Sequence, residues 1–197
     1  MFTYTENIDR IAYHSVDRNL VFGGYMARIN WYIYVIGELA SGRSTAASLI
    51  TDWVQENTLF TPWYWNHEKI PKLSQDFIKD SMVIINPKRY SEKLLQWSLR
   101  RKNIHFINIS APQGLRFLRY NNSRKPKTSL KQFLGESSRL RTVPNIPKLK
   151  ENAKSFRTVV NDKTRKDLRR KIDKYLKQIL SKEGLYKPHS KMYTGTI

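Results

Sequence analysis

Residues 43–57 constrain the fold most, because they form the clearest amphipathic helix in the chain. The apolar face carries Ala46, Leu49, Ile50, Trp53 and Val54. The opposite face carries Ser44, Ser48, Thr51 and Gln55. A helix with one apolar face must bury that face against another element. We therefore predict that this helix packs onto a core and presents its hydroxyl-rich face outwards.

The preceding segment, residues 26–40, places Ile29, Ile33, Ile36 and Leu39 at helical spacing. The aromatic and β-branched run inside it would also suit a buried strand. Its length and its stop at Ser41-Gly42 favour a helix. We therefore predict two helices joined by the turn Ala40-Ser41-Gly42.

Two short apolar runs after these helices are typical of β-strands. Residues 59–65 and 81–86 flank a polar loop that contains Lys69 and Lys72. The pair is predicted to form a flap with a basic tip.

Three further elements are predicted before residue 121. Residues 90–101 should form a helix that ends in Arg100, Arg101 and Lys102, where positive charge suits the helix dipole. Residues 103–110 and 115–120 should form a hairpin around Ala111-Pro112-Gln113-Gly114.

The turn and the following Arg43-Ser44-Thr45-Ala46-Ala47-Ser48 resemble the recognition helix of MarR-type winged helix-turn-helix regulators. The strand Met82–Pro87 is similar to the Asn-Pro strand that closes the wing in some plasmid and phage replication initiators. The resemblance covers about residues 26–87. It implies a mainly α fold with a small β wing. An ordinary helical hairpin inside a core is the alternative explanation of the same pattern.

The resemblance also implies which side chains contact DNA. The predicted contacts of the recognition helix are Arg43, Ser44, Thr45, Ser48 and Thr51. Those of the wing and the following helix are Lys69, Lys72, Arg100, Arg101 and Lys102.

Positive charge is concentrated in the second part of the chain. The 197 residues carry 36 Lys and Arg against 16 Asp and Glu, a net charge of +20. Residues 1–119 have 15 basic and 10 acidic residues, whereas the rest has 21 and 6. All five Trp lie at or before Trp97. We therefore predict a winged-helix-like module over residues 1–120, followed by a basic extension.

The extension is predicted to have two parts. Residues 121–157 contain Pro126, Pro144 and Pro147 and few bulky apolar residues, which is typical of a flexible linker. Residues 158–197 should hold a basic amphipathic helix over about residues 161–182. Its narrow apolar stripe is Leu168, Ile172, Tyr175, Leu176 and Ile179. Its predicted nucleic-acid contacts are Arg165, Lys166, Arg169 and Arg170.

Motifs for catalysis are not recognised in the sequence. There are no cysteines, and the four His are scattered without partners at metal-ligand spacing. No nucleophile elbow, P-loop or dinucleotide fingerprint is identified. The sequence therefore predicts no enzymatic activity, no metal and no cofactor. A nuclease or recombinase remains a third hypothesis without a supporting motif.

The predicted function is binding of nucleic acid, most of all duplex DNA with RNA as an alternative, because a basic surface favours phosphate backbones. The protein would act as a transcription regulator or replication-initiation factor of a bacterium, phage or plasmid, with a homodimer as an open alternative to a monomer. The alternative is a structural component of a nucleoprotein particle, ribosome-associated or virion-borne. The N-terminus lacks the pattern of a signal peptide, and the longest apolar run has six residues. No membrane association is expected, and the predicted location is the cytoplasm, with the nucleoid, or the virion interior.

Overall fold

The computed structural model describes residues 31–70, 81–101, 103–139, 146–182 and 185. Within these ranges the strands are β1 Trp31–Gly37, β2 Thr61–Trp65, β3 Ser81–Ile85, β4 Ile104–Ser110 and β5 Ser155–Val160. The helices of the same ranges are α1 Arg43–Asn57, α2 Glu92–Leu99, α3 Gln113–Asn122, α4 Leu130–Arg139, α5 Ile146–Asn152 and α6 Arg165–Lys182.

The five strands form one sheet in the order β2-β3-β1-β4-β5, and every neighbouring pair is parallel. A parallel sheet needs a crossover between consecutive strands, and helices supply it after β1, β3 and β4. Strand β1 lies in the middle, and all seven of its residues are buried. Strand β2 lies at the edge of the sheet and contains Pro62. Proline has no backbone N–H for inter-strand hydrogen bonds, and an edge strand tolerates that loss because only one of its sides is paired.

Helices cover both faces of the sheet. Alternate side chains of β1, such as Ile33 and Val35, pack with α1 and α6 on one face. The intervening side chains, such as Tyr34 and Ile36, pack with α2 and with Leu149 of α5 on the other face. The molecule is therefore an α/β protein with a three-layer arrangement.

The predicted mainly α, winged-helix fold is wrong. Residues 31–37 form a central strand rather than a helix. A strand that is buried on both faces is apolar at every position, so its sequence lacks the alternation that would identify it as a strand. The predicted helix over residues 43–57 is confirmed as α1, and its apolar face is buried. It packs on the sheet and not on a preceding helix, since that helix is β1.

The two segments of the predicted wing do not form a wing. Its two segments are strands, β2 and β3, but they are parallel neighbours instead of an antiparallel flap. The helix predicted over residues 90–101 is confirmed as α2. The predicted hairpin is half wrong, because residues 104–110 form β4 whereas residues 115–120 lie within α3.

The basic extension belongs to the same fold as the rest of the chain. Residues 121–157, predicted as a flexible linker, contain α4, α5 and the start of β5. Their few bulky apolar residues are well placed, since Phe133 and Leu149 are buried. Strand β5 extends the sheet beside β4, and all five residues of the predicted apolar stripe of α6 are buried. A sparse apolar pattern thus sufficed because Phe133 and Leu149 are buried, although Leu130 and Leu134 are exposed.

No helix in the described part of the chain is both long enough and apolar enough to cross a bilayer.

Candidate functional site: a phosphate-binding loop

The candidate site lies at the carboxyl edge of the sheet, in the loop that joins β1 to α1. From β1 the chain first builds one side of the sheet, with β2 and β3, and then crosses to the other side, with β4 and β5. In open α/β sheets, ligands bind outside the carboxyl ends of the strands where the direction of winding changes. The loop after β1 therefore lies at the position where this fold binds ligands.

The loop sequence has the spacing of a P-loop. Residues 37–44 read Gly-Glu-Leu-Ala-Ser-Gly-Arg-Ser, which matches Gly-x-x-x-x-Gly-Lys-Ser/Thr except that Arg43 stands at the lysine position. The motif also has the structural context that it requires, a strand before it and a helix after it. The sequence-based search for a P-loop did not recognise this spacing, because Arg43 replaces the lysine that the motif requires.

Two residues of the loop have left-handed backbone conformations. Gly42 has φ 93°, and Ala40, with φ 59°, is the positive-φ residue other than glycine within the described ranges. An alanine in this conformation costs of order 1–3 kcal/mol, so the surrounding structure must hold it there. Alternating right- and left-handed residues turn successive N–H groups to one side, which forms a concave anion site.

Close contacts hold the loop against the neighbouring strands. A Cβ atom on Gly37 would lie 2.5 Å from the carbonyl oxygen of Ile109 on β4. A Cβ atom on Gly42 would lie 2.2 Å from Nδ2 of Asn161, which donates to the carbonyl oxygen of Ser41 at 2.8 Å. Both glycines are therefore required by the packing of the loop against β4 and the end of β5.

The first turn of α1 continues the anion site. Helix α1 begins after Gly42 without a side-chain cap, and Ser44 and Thr45 are exposed. The first N–H groups of a helix have no intrahelical acceptor, and the helix dipole places partial positive charge there. Such a terminus after a glycine-containing loop binds phosphate readily.

Arg43 adds a full positive charge at the same place. Its guanidinium donates to the carbonyl oxygen of Lys88, just beyond β3, at 3.2 Å. Burial is the main cause that lowers the pKa of Arg43, while the nearby hydroxyls of Tyr34 and Tyr64 act in the opposite direction. Burial also raises the pKa of Tyr34, so this hydroxyl stays protonated. A desolvated guanidinium that rests on neutral oxygens is a favourable partner for an anion.

Two arginines of α3 lie against the loop. The buried guanidinium of Arg116 forms an ion pair with Glu38 at 2.9 Å and donates to the carbonyl oxygen of Leu39 at 3.4 Å. Arg119 donates to the carbonyl oxygen of Ser41 at 3.5 Å and to Oδ1 of Asn161 at 3.4 Å. Within the loop the Ser41 N–H donates to the carbonyl oxygen of Glu38 at 3.1 Å, so the arginines bond the carbonyls of Leu39 and Ser41 in a loop that is also closed by its own turn. The two arginines thus hold the loop shape and add positive charge.

The residues present fit Mg²⁺ poorly. In P-loop enzymes the ion that accompanies the triphosphate is held by the P-loop Ser or Thr and by an aspartate. Ser44 supplies the hydroxyl, but the residue that follows β3, beside β1, is Asn86. Its Nδ2 donates to the Tyr64 hydroxyl at 2.6 Å, and its buried Oδ1 has no hydrogen-bond partner. Across the described ranges, no group of three or more His, Asp or Glu could hold a metal ion.

The structure separates the predicted DNA contacts of α1 into two sets. Arg43, Ser44 and Thr45, which were predicted to contact DNA as part of a recognition helix, lie at the end of the loop of residues 37–44 and in the first turn of α1. Ser48 is exposed further along the helix, and the Thr51 hydroxyl donates to the carbonyl oxygen of Ala47 at 3.0 Å. The loop that precedes these three residues was missed, although Gly37 and Gly42 signalled it.

The other predicted contacts do not converge on this site. Lys69 follows β2 and is exposed, whereas Arg100 and Arg101 follow α2 at the amino edge of the sheet. On α6, Arg169 pairs with Glu56 and Arg170 pairs with Asp167, while Arg165 and Lys166 are exposed. Lys72 and Lys102 lie outside the described residues. The nucleic-acid contacts assigned to these individual side chains remain untested.

Comparison with known proteins identifies the fold. No protein-family model matches the chain, and no curated protein matches it. A gluconokinase from Sinorhizobium meliloti is 12% identical, with a TM-score of 0.51 over 80% of this chain and 97% of that chain. A shikimate kinase from Acinetobacter baumannii, solved with shikimate, is 16% identical, with a TM-score of 0.46 over 80% of this chain and 96% of that one. A sugar kinase from Janibacter sp. is 12% identical, with a TM-score of 0.46 over 76% and 94%.

These findings overturn the predicted function. A DNA-binding regulator or replication initiator, bacterial or from a phage or plasmid, was inferred from a winged helix that does not exist. The alternative, a nucleoprotein-particle component, was inferred from an unstructured tail that is instead part of the sheet and its helices. The expectations of a nucleic-acid partner and of no enzymatic activity are likewise wrong, since both rested on the winged helix and the chain instead shares an α/β fold with the gluconokinase.

Proposed function

We propose that this protein binds a nucleoside triphosphate and transfers its terminal phosphoryl group to a small-molecule hydroxyl. The observation that carries the proposal is the loop of residues 37–44, with its left-handed Ala40 and Gly42, at the carboxyl end of the central strand of a parallel sheet. The gluconokinase whose fold it shares is a small-molecule kinase by its description.

The phosphate groups would bind through the amides of the loop and of the first turn of α1. Phosphoryl transfer is catalysed mainly by positioning and by electrostatic stabilisation, because charge develops on the transferred group. Arg43 would contact the terminal phosphates as a planar, bidentate donor. Arg116 and Arg119 would keep the loop in the binding conformation.

The acceptor would bind next to the phosphates, over the ends of β2 and β3. Tyr64 and Asn86 bring a hydroxyl and an amide there, bonded to each other at 2.6 Å. The Trp63 and Trp65 rings point to the other face of β2, where they pack on the core beside α2, so they are not part of this acceptor site. A few converging polar groups are typical of sites for small polar molecules such as sugars and sugar acids.

Binding of ATP, measured by isothermal titration calorimetry, tests the proposal. Arg43→Ala should weaken binding by about 10–100-fold, because a hydrogen bond to a charged group contributes about 1.5–3 kcal/mol. Arg100→Ala removes the same charge at the opposite edge of the sheet and should leave the affinity unchanged.

The reaction is then tested by ADP formation with a panel of sugars and sugar acids. An acceptor-dependent release of ADP that Arg43→Ala abolishes would support the kinase function. Absence of ATP binding to the wild-type chain would refute the proposal, and so would equal losses from Arg43→Ala and Arg100→Ala.

A further inference from the structure

We propose that this phosphate-binding loop takes up the nucleoside triphosphate without requiring Mg²⁺, because arginine side chains replace the metal as its counter-charge. The inference rests on the proposed function and concerns the form of the nucleotide that the site accepts. It follows from three features of the described residues: the neutral Asn86, the position of the Arg43 guanidinium, and the excess of positive charge at the loop.

The first feature is that, among the residues that the structure describes, Asn86 and not a carboxylate follows β3 beside the loop. Asn86 is buried at the carboxyl end of β3, and its amide is oriented by the donation from Nδ2 to the Tyr64 hydroxyl. A neutral amide oxygen attracts a hard divalent cation less than a carboxylate does, and Mg²⁺ sites in such enzymes use one or two carboxylates. The Ser44 hydroxyl by itself would bind Mg²⁺ only weakly.

The second feature is the guanidinium beside that position. Arg43 reaches across to the carbonyl oxygen of Lys88, two residues beyond Asn86. Arginine is longer than the lysine of the usual motif and carries its charge on a planar fork. A fixed positive charge in a half-buried site repels a divalent cation and attracts phosphate oxygens, and both effects are stronger there than in water.

The third feature is the charge balance around the loop. Arg43, Arg116 and Arg119 bring three positive charges, whereas among the described contacts of the loop Glu38 brings the negative charge, and it is paired with Arg116. The recorded hydrogen bonds of Arg119 go to neutral oxygens, a carbonyl and an amide. The excess of positive charge suits the metal-free triphosphate, which carries more negative charge than its magnesium complex.

Calorimetric titration of the full-length chain with ATP, once in EDTA and once in excess MgCl₂, tests this inference. We expect the two dissociation constants to agree within about threefold. A loss of more than about tenfold in EDTA would overturn the inference while leaving the proposed function intact. Absence of ATP binding in both buffers would refute the proposed function and this inference with it.

Asn86→Asp should create the metal dependence that the wild type lacks. The Tyr64 hydroxyl can donate to the new carboxylate, so the local hydrogen bond is retained. We expect this variant to lose about tenfold or more of its ATP affinity in EDTA, because carboxylate and phosphates repel, and to recover it in MgCl₂.

Asn57→Asp is the matched control. It makes the same change at the last residue of α1, about 20 Å from Arg43 along the helix. It should bind ATP like the wild type in both buffers. An Asn86→Asp variant that melts like the wild type and binds ATP equally in both buffers would contradict the role assigned to Asn86. If that variant does not fold, the wild-type comparison still decides the proposal.

Discussion

At the scale of single residues, the site depends on Gly37, Gly42 and Arg43. The two glycines allow the loop to touch β4 and Asn161, where any side chain would collide. Arg43 is the departure from the usual motif, and it explains why the loop is hard to recognise. A motif that requires lysine at this position does not match a chain that has arginine there, even though both side chains can bind phosphate.

Gly42→Ala should destabilise the protein by about 1–3 kcal/mol, because alanine is strained at φ 93° and its Cβ would displace Asn161. Urea denaturation measures the change. Gly135→Ala is the control, since a Cβ there has open space in the interior of α4 and should stabilise the protein by about 0.5–1 kcal/mol. Equal effects of the two substitutions would show that the loop does not need glycine at residue 42.

At the scale of elements, α1 and α6 were predictable and β1 was not. Both helices have one apolar face and one polar face, so their patterns report their burial directly. β1 is apolar throughout, and that pattern fits a buried strand and part of a buried helix equally well. Because β1 was assigned as a helix, the strand–loop–helix arrangement that a P-loop requires was not recognised around residues 37–44.

Asp167→Asn should lower the stability of α6 in a pH-dependent way. The Asp167 carboxylate accepts from the Thr164 hydroxyl at 2.8 Å, and its own N–H donates to that oxygen at 3.2 Å, which closes the first turn. The hydrogen bond from Thr164, with the charge of Arg170, holds the pKa of Asp167 below its usual value.

The sign of the pH effect follows from that lowered pKa. The stabilisation should be complete above the usual pKa of about 4 and should disappear as the pH falls through the lower folded value. Urea midpoints of the variant and the wild type should therefore differ at pH 7 and converge near pH 2. A constant offset between Asp167→Asn and the wild type at both pH values would exclude the carboxylate as the cause.

At the scale of the whole molecule, the second part of the chain completes the first. β5 pairs with β4, α6 packs on α1, and α3 brings two arginines to the loop. The basic charge beyond residue 120 is therefore carried by elements of one α/β fold. The basic composition favoured an anionic partner in general and did not distinguish nucleic acid from the nucleotide that we propose.

A chain that ends at Lys154 should not fold cooperatively. It lacks β5 and α6, so the buried face of α1 and the β4 edge would be exposed to water. Near-UV circular dichroism and a urea transition measure the loss. The full-length Lys166→Gln/Lys174→Gln variant, which removes exposed charges of α6 and keeps its apolar stripe, should unfold like the wild type. A truncated chain with a cooperative transition would restore the view of an independent tail.

The sequence by itself determined the amphipathic helices α1 and α6, the helix α2, three of the strand segments and the excess of positive charge. These follow from local patterns, because the period of the apolar residues reports the burial of one element at a time. Only the tertiary structure decided that β1 is a strand, that all pairings are parallel, and that residues 37–44 lie at the carboxyl edge. The contacts that build the site join residues 77, 78 and 120 positions apart, from Arg116 to Leu39, from Arg119 to Ser41 and from Asn161 to Ser41. Such contacts depend on how the chain crosses the sheet, and no local pattern records that.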